Sequence, residues 1–368
     1  MIENIQITNF KSIKHLDLTL NDINIFIGAN GVGKSNFLSF FLLLKSLKEN
    51  QLNTYVAKQG YMDNLIFFGE KEHTEIVGKV EFLDETRSIR YRYIFNLLSD
   101  NKKKAFIRKE VSEARDERPD YRNWKNSSTN PIPDYESFIL TQSTDIRDKN
   151  LQLYFDSFKV YHFHDTSDDS PLNKIARTND NVFLRENGEN LPAFLYFLQE
   201  KHPKKLRIIE RVIASIAPFF ESFNLKPDRL NEEFIRLEWK EKGFDRYQNA
   251  QNLSDGTLRF IALTTLLLQP NPPKTIIIDE PELGLHPSAI NKLAGLVKKA
   301  SAHSQIILST QSVDLINNFE PEDIITVDRD RRGHQSIFKR LDVNELSSWL
   351  ETYNVGELWL KSVIGGQP

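Results

Sequence analysis

One stretch of eight residues limits the possible folds of this chain more than any other. It reads GANGVGKS, occupies positions 28–35, and has the spacing G-x-x-x-x-G-K-S. Ile23, Ile25 and Ile27 alternate before it as in a β-strand, and an apolar run over 37–47 follows it as in a helix. A phosphate-binding P-loop needs this strand–loop–helix order, because backbone N–H groups and the start of the helix hold the phosphate oxygens.

The residue types within the loop predict what it binds. In such a loop, which we expect to face solvent, Lys34 neutralises charge on the β- and γ-phosphates, and the Ser35 hydroxyl coordinates Mg²⁺. The alternative is a chance glycine-rich turn, but the spacing and the flanking elements favour a site for a nucleoside triphosphate and Mg²⁺. The predicted nucleotide contacts are Asn30, Gly31, Gly33, Lys34, Ser35 and Asn36.

A second motif, KTIIIDEPELGLHP, spans 274–287. A buried β-branched run that ends in an acid places Asp279 as a metal ligand. Glu280, one residue further on, can reach past the strand end and polarise a water as a general base. A plain strand terminus before a helix opened by Pro287 is the structural alternative. We interpret Asp279 as a metal ligand and Glu280 as a catalytic residue.

A third stretch, NLSDGTLRF at 252–260, has two possible readings. Ser254 and Gly256 stand at the start of an apolar helix, where a hydroxyl satisfies an unpaired N–H group and a glycine lets the chain turn. The same helix end is positive and can attract a phosphate. The residues alone leave a local cap and a binding surface equally open.

Composition and periodicity predict the fold class. With 368 residues and 39% hydrophobic content, the chain can bury a large core. Residues 74–95 read as a hairpin. Residues 253–328 alternate between helix-like and strand-like runs, and this pattern predicts an α/β fold with parallel central strands. The polar, proline-containing stretch 113–135 is expected to be an insertion outside the core.

Charge and cysteine content restrict the surroundings of the chain. Forty-eight basic and 51 acidic residues give a net charge of −3, so contact with DNA requires a local patch. The absence of cysteine fits a reducing compartment, and no apolar run approaches the roughly 18 residues of a membrane span, so we expect a cytoplasmic protein without a membrane partner. Lys102, Lys103, Lys104, Arg108 and Lys109 form a charge run that is either a solvated face or a grip on phosphates.

The order of these motifs resembles the ABC ATPase superfamily, and within it the SMC, RecF and OLD-type branch. The resemblance lies in NFKSIKHLDL, IFIGANGVGKSNF, LSDGT, EPELGLHP and ILSTQS, and it covers nearly the whole chain. It implies an α/β ABC ATPase head: a P-loop sheet core with an N-terminal antiparallel β lobe and a small inserted helical lobe. Residues 1–165 would form the nucleotide-binding lobe with its β meander, 166–250 the helical insertion lobe, and 251–368 the part with the signature, Walker B and switch.

The same resemblance implies ATP and Mg²⁺ as ligands and a homodimer that forms on ATP. In this family the signature serine and glycine contact the γ-phosphate held by a second subunit, so Ser254 and Gly256 would act in trans. Asp255 and Thr257 replace the Gly and Gln of the commonest signature. The switch histidine is absent, and Gln311 after IILST can orient a water but cannot carry a proton. Slow hydrolysis resting on Glu280 is therefore expected.

Three further positions have competing readings. The residue near the metal that follows strand 158–164 is expected to be His164 or Asp165, with Gln142 as the alternative. His162 and His164 share a strand face, as two ligands of a zinc ion would. The sequence offers no matching carboxylate or cysteine as a further ligand, so a zinc site is not expected. Asp328-Arg329-Asp330 is a D-x-D such as TOPRIM nucleases use, yet only the 38 residues 331–368 follow it. We expect a strand-end turn there.

The function expected from these motifs is an ATP-driven switch. It would act on DNA, or with a separately encoded effector such as a nuclease, in DNA repair or in defence against phage. One alternative is a RecF-like clamp for DNA junctions without an effector. The other is a regulatory ATPase that controls a protein partner without DNA contact.

Overall fold

The computed structural model describes residues 1–84, 86, 88–117, 123–130, 134–165, 167, 169–330, 332 and 334–366. The chain forms two compact units. One contains Met1–Lys159 and Glu320–Pro368, and the other contains Val160–Phe319. The division of the sequence into 1–165, 166–250 and 251–368 remains a prediction.

The first unit begins with strands and helices in a mixed order. Its elements are β1 (Ile2–Phe10), β2 (Ile13–Thr19), β3 (Ile23–Ile27), α1 (Lys34–Lys48), α2 (Leu52–Lys58), α3 (Tyr61–Leu65), β4 (Glu75–Asp84), β5 (Ile89–Ser99), β6 (Ala105–Asp116), β7 (Lys125–Asn130), α4 (Phe138–Thr141), α5 (Ile146–Ser157) and β8 (Phe158–Tyr161).

An antiparallel meander accounts for most strands of this unit, in the order β2-β1-β4-β5-β6-β7. In β5 every second side chain from Tyr91 to Leu97 is buried, which is the period-2 pattern of a strand with one face on a core. The ladder between β4 and β5 contains the hairpin expected over 74–95.

The stretch 113–135, expected to be an insertion outside the core, contains strand residues of the meander edge in its described part. Strand β6 continues to Asp116, and β7 pairs with it at the edge of the meander. An edge strand tolerates polar side chains because one of its sides faces water, so polarity alone did not exclude pairing. Pro119, Pro131 and Pro133, which suggested an insertion, lie outside the described residues.

The second unit combines short strands with longer helices. Its elements are β9 (Ala176–Arg177), α6 (Leu191–Lys201), α7 (Pro203–Ile216), β10 (Phe220–Asn224), β11 (Phe234–Ile235), β12 (Glu238–Glu241), β13 (Tyr247–Asn249), α8 (Asp255–Leu268), β14 (Thr275–Asp279), α9 (Pro287–Ser301), β15 (Gln305–Thr310) and α10 (Val313–Ile316). The first unit is completed by β16 (Ile324–Arg329), β17 (Ser336–Arg340), α11 (Val343–Leu350) and α12 (Val355–Leu360).

The parallel strands expected in the core are present in both units. In the first unit β3, which is buried along its whole length, pairs in parallel with β16. In the second unit β14 and β15 are parallel, with Asp279 opposite Ser309 at their carboxyl ends. These strands read as continuous apolar runs because both faces of a parallel sheet are covered. The chain is therefore mixed α/β, as predicted.

The region before the signature contains a small antiparallel sheet. Helix α7 ends at Ile216, and Phe220–Asn224 forms β10 in a three-stranded sheet with β12 and β13. Pro218 follows closely, and proline cannot continue a helix. Among the described residues, every helix is too short or too polar to cross a bilayer.

Candidate functional site

The P-loop lies between β3 and α1 in the first unit, and its glycines are required by close packing. A Cβ atom on Gly28 would overlap the carbonyl oxygen of Val327, and one on Gly33 would overlap the Ser336 hydroxyl. Gly33 also has a φ of 119°, and Gly31 has a φ of 78°. Only glycine adopts such a backbone without strain, so the loop can curl at the start of α1.

The Lys34 side chain is buried, although other residues of its loop face solvent. It is 5% exposed, and its Nζ donates hydrogen bonds to the carbonyl oxygens of Gly28 at 2.5 Å and Ala29 at 3.0 Å. Spacing alone could not reveal this, because the side chain folds back over its own loop. The ammonium is thus held beside the loop backbone, where an anionic oxygen would be a stronger partner than a neutral carbonyl.

The other predicted contacts of the loop divide into exposed and internally bonded residues. Asn30, Gly31 and Ser35 are exposed. The Asn36 amide instead donates to Ser12 Oγ at 2.7 Å, which ties the first turn of α1 to the corner between β1 and β2. This turn contains no acidic residue, so nothing in it opposes an anion at the helix N-terminus.

Asp279 is the last residue of β14 in the second unit, and one of its carboxylate oxygens lacks a hydrogen-bond partner. Its Oδ1 atom is buried without a hydrogen-bond partner, and so is the hydroxyl of Ser309, its cross-strand neighbour. Buried polar atoms of folded proteins are normally paired, and an unpaired carboxylate oxygen is costly. A carboxylate oxygen is a ligand that Mg²⁺ prefers, so the residue present here fits a magnesium site.

Glu280 and Gln311, the two predicted catalytic residues of this unit, are in contact. Gln311 Nε2 donates to Glu280 Oε1 at 2.6 Å. The backbone of Glu280 has a φ of 41°, and its N–H donates to the Ser309 carbonyl at 2.8 Å. A left-handed conformation costs a residue with a side chain about 1–3 kcal/mol and is often found at functional sites.

Glu282 is a residue of this site that sequence reasoning missed. It is 8% exposed, and its Oε1 accepts hydrogen bonds from the Thr310 hydroxyl and from the Gln311 N–H at 3.0 Å. Burial raises the pKa of the Glu282 carboxyl, and these hydrogen bonds oppose the rise. The only signal in the sequence was a second glutamate two positions after Glu280. Glu282 therefore holds the backbone that presents Gln311.

The signature serine is a helix cap in this structure. Ser254 Oγ accepts from the Thr257 N–H at 3.3 Å and lies 2.8 Å from the Thr257 hydroxyl. Its residue is nevertheless exposed, at the mouth of a cavity of about 390 Å³ that Gly256 and His286 also line. A Cβ atom on Gly256 would overlap the carbonyl oxygen of Gly284. Gly256 thus has an internal packing role, and contact with a second subunit remains a prediction.

Arg259 is the second residue that the sequence reading missed. Its guanidinium donates to the carbonyl oxygens of Phe163 and His164, each at 2.7 Å, and to that of Leu283. Burial lowers the pKa of Arg259. A single arginine inside the apolar helix sequence LRFIALTTLLL was the available signal. Arg259 joins the start of α8 to the segment after β8 and to the loop after β14.

The remaining candidates are exposed or bonded internally. Gln142, His164 and Asp165 are exposed, and no contact distinguishes one of them as the metal-side residue. Within the described ranges, no three His, Cys, Asp or Glu side chains group as for a metal. Asp328 lies near the end of β16 and accepts from the Gly366 N–H at 2.8 Å, and the Asp330 N–H just beyond the strand donates to the Gln335 carbonyl at 2.8 Å.

Two solved structures share this fold over nearly the whole chain. One is an SMC head bound to the C-terminal winged-helix domain of ScpA, with a TM-score of 0.62 and 17% identity over 94% of this chain and 99% of that chain. The other is an Smc head with an extended coiled coil bound to the C-terminal domain of ScpA, derived from Pyrococcus furiosus. Its TM-score is 0.59, with 16% identity over 95% of this chain and 98% of that one.

The fold is therefore that of an SMC head domain, in agreement with the sequence resemblance. A search among curated proteins finds no match. Residues 23–317 match the profile of a family described as "AAA domain, putative AbiEii toxin, Type IV TA system", and the chain belongs to this family.

Proposed function

We propose that the chain binds and hydrolyses ATP with Mg²⁺, dimerises on ATP through composite sites, and acts as a switch on DNA or on a separately encoded effector. The observation that carries the hydrolytic part is the contact between Glu280 and Gln311 next to the orphaned Asp279 oxygen. The ends of the adjacent strands β14 and β15 carry a base, an amide that can orient water, and a carboxylate oxygen without a hydrogen-bond partner. That combination suits the attack of water on a phosphoryl group.

Each predicted residue has a defined part in this proposal. Lys34 and the start of α1 would bind the phosphates, and Ser35 and Asp279 would hold Mg²⁺, which neutralises charge on the phosphate oxygens. Glu280 would accept a proton from the attacking water. Gln311 would orient that water through its amide. Because the Gln311 amide cannot take up or release a proton, turnover should be slow.

Dimerisation is supported by the exposure of Ser254 at the N-terminus of α8, beside an open cavity. Charge-assisted hydrogen bonds contribute roughly 1.5–3 kcal/mol each, against an association cost of about 4–15 kcal/mol. Two filled sites could thus turn a weak contact into a stable one, and ATP would control assembly.

A mixing experiment tests this composite site. Lys34→Ala should neither bind nor hydrolyse ATP, and Ser254→Arg should bind ATP as a monomer with little turnover. Mixed with ATP and Mg²⁺, the two chains can form one site from a sound P-loop and a sound signature. Dimer and turnover should partly return, as measured by light scattering and phosphate release.

Ser254→Ala is the matched control, because it removes the cap without adding bulk. Loss of an N-cap costs about 0.5–2 kcal/mol of stability. If Ser254→Arg dimerises on ATP and hydrolyses it like wild type, the stretch is only a cap. If Ser254→Ala is as inactive as Ser254→Arg, loss of the hydroxyl and not the added bulk explains the defect, and urea denaturation then decides the cause: a destabilised Ser254→Ala points to the cap, and a Ser254→Ala as stable as wild type points to the contact in trans.

The effector and DNA parts of the proposal rest on two observations. Lys102, Lys103, Lys104, Arg108 and Lys109 are all exposed on the β5–β6 hairpin, so a local phosphate-binding patch is available despite the net charge of −3. The two similar SMC heads were solved with a bound partner protein, which supports a partner protein for this head as well.

The near-neutral charge favours the second candidate, a regulatory ATPase that controls a protein partner without DNA contact. Filter binding across a salt series distinguishes the two, because contacts with phosphates give affinity a steep dependence on salt. Replacing the exposed basic residues of the hairpin should reduce that slope if DNA lies there. Absence of salt-dependent DNA binding would favour the protein-only switch. A RecF-like clamp would instead bind DNA with its full affinity in the absence of any effector.

A further inference from the structure

A large cavity of the second unit contains none of the residues predicted to bind nucleotide. It has a volume of about 1200 Å³ and is lined by the loop from β10 to β11 (225–233), by the turn from β12 to β13 (242–246) and by flanking strand residues. Pockets for small molecules usually have volumes of about 300–1000 Å³. This cavity, which we call the β10–β13 cleft, is therefore large enough for a segment of another polypeptide.

Apolar side chains of the β10–β13 cleft are exposed to solvent. Leu230 is 98% exposed, and Ile175 and Tyr247 are each 54% exposed. Burial of such side chains is favourable because it removes apolar surface from water. An aliphatic side chain finds apolar partners on a protein but few on a phosphate backbone, so Leu230 and Ile175 favour a polypeptide as the occupant.

Three cations of the β10–β13 cleft lack a carboxylate partner. Lys226, Arg229 and Arg246 are exposed, and none of the ion pairs between residues that the structure describes includes them. A fourth cation, Arg236, is paired, since its guanidinium lies 3.6 Å from the Asp228 carboxylate. Three positive charges are thus available to an anionic ligand.

The carboxylates of the cleft do not cancel its positive charge. Asp228 accepts a hydrogen bond from the Leu230 N–H at 2.9 Å, and Glu238 accepts one from the Asn224 amide at 2.6 Å. Asp245 is the third carboxylate of the lining. Four basic and three acidic side chains leave the cleft with a formal charge of +1, whereas the whole chain carries −3. The cleft is therefore a local positive site, which favours an acidic partner.

The β10–β13 cleft is bonded to the segment that leads to the signature. Trp239 of β12 is buried, and its Nε1 donates to the Asn249 carbonyl at 3.1 Å. The Ala250 N–H donates to the Leu237 carbonyl at 3.0 Å. Ser254 is four residues after Ala250. A ligand on this sheet would therefore bind next to the chain segment that leads to Ser254.

We propose that the β10–β13 cleft is the docking site for an acidic segment of a partner protein. Carboxylates of that segment pair with Lys226, Arg229 and Arg246, and an aliphatic or aromatic side chain packs on Leu230 and Tyr247. Burial of apolar surface supplies more affinity than exposed charge pairs do, so the apolar contact holds the segment and the cations select its acidity. This inference rests on the proposed function, in which the chain acts together with a separately encoded effector.

Selection from a random dodecapeptide library, displayed on phage and applied to the nucleotide-free protein, tests the proposal. Peptides that combine acidic residues with leucine, phenylalanine or tryptophan should be enriched. The most enriched peptide, labelled with fluorescein, should bind the wild type in an anisotropy titration. Lys226→Ser/Arg229→Ser/Arg246→Ser should weaken this binding roughly tenfold, because three exposed charge pairs are lost. Leu230→Ser should weaken it by a similar factor, because the apolar contact is lost.

A charge exchange gives a result that misfolding cannot imitate. Arg229→Glu/Arg246→Glu should bind the selected peptide poorly and should prefer a version in which lysine replaces each acidic residue. The matched control is Lys204→Ser/Lys205→Ser/Arg211→Ser, which removes three exposed cations from α7 in the same unit. This control should bind the selected peptide like wild type.

Enrichment of neutral or basic peptides, or of none, would overturn the proposal, and so would equal binding by the wild type and the triple serine variant of the cleft. Equal losses in the cleft and α7 variants would show that overall charge attracts the peptide, which also overturns it. Loss of single-stranded oligo(dT) binding in the cleft variant, without loss of the peptide, would assign the cleft to nucleic acid instead. ATP binding is measured on the same samples. A wild type that binds the peptide but not ATP refutes the nucleotide site and leaves the docking site standing.

Discussion

Replacement of Glu280 by glutamine gives the sharpest test of the hydrolytic mechanism. The amide oxygen at position 280 can still accept the hydrogen bond that Gln311 Nε2 now makes at 2.6 Å. The backbone hydrogen bond to Ser309 and the side chain of Asp279 are unaffected by the change. The variant therefore keeps the shape of the site and loses only the ability to take a proton.

The expected effect follows from that single loss. A positioned general base contributes about 10²–10⁴-fold to a rate, which equals roughly 3–5 kcal/mol of transition-state stabilisation. ATP affinity should stay at the wild-type value, because the P-loop lies on other elements. Phosphate release from saturating ATP measures the rate, and equilibrium binding measures the affinity. The variant should accumulate as an ATP-bound dimer.

Gln311→Ala serves as the comparison, because it removes the amide and leaves the base in place. It should reduce turnover less than Glu280→Gln does, since orienting a water contributes less than accepting its proton. Wild-type turnover in Glu280→Gln would refute the assignment of the base. A larger loss in Gln311→Ala than in Glu280→Gln would reverse the roles proposed for the two residues.

Two further predictions concern residues whose surroundings the structure defines. Gly256→Ala should destabilise the fold by about 1–3 kcal/mol, because the new methyl group meets the Gly284 carbonyl. Gly295→Ala in α9 is its control. Nothing lies near that position, so the change should stabilise the helix by about 0.5–1 kcal/mol. Urea denaturation measures both variants, and equal effects on stability would contradict the packing argument. Glu282→Gln tests the raised pKa of the buried carboxyl. A raised folded pKa means that the stability from Glu282 is fully present below its unfolded pKa and is lost as pH rises through the folded value. The free energy of unfolding of Glu282→Gln should therefore improve relative to wild type over that window, and a pH-independent difference would refute the burial argument.

Local pattern was sufficient to predict the elements whose sequence carries its own signal. The P-loop has a fixed spacing, and its strand and helix have clear periods of two and of three to four residues. The β-branched run before Asp279 identified a buried parallel strand for the same reason. These features depend on residues close together in the chain, so no knowledge of distant contacts was needed.

Features that arise from long-range contacts could not be predicted in the same way. The role of Arg259 depends on carbonyl oxygens at positions 163 and 164, almost a hundred residues earlier in the chain. The pairing of β7 depends on the neighbouring strand and not on its own polar composition. A single sequence shows residue types but does not show which distant backbone groups they meet.

The replacement of the switch histidine by Gln311 becomes understandable from the contacts around it. The backbone N–H of Gln311 is bound by Glu282, and its side chain is bound by Glu280, so both ends of the residue are fixed within one unit of one chain. Because these hydrogen bonds already position Gln311, its side chain does not need to be protonated in order to be oriented. What a second copy would add under the proposed function is the signature helix, whose Ser254 is exposed. Under the proposed function, the catalytic groups of the second unit would be arranged before assembly, and the event that ATP would control is the meeting of two chains.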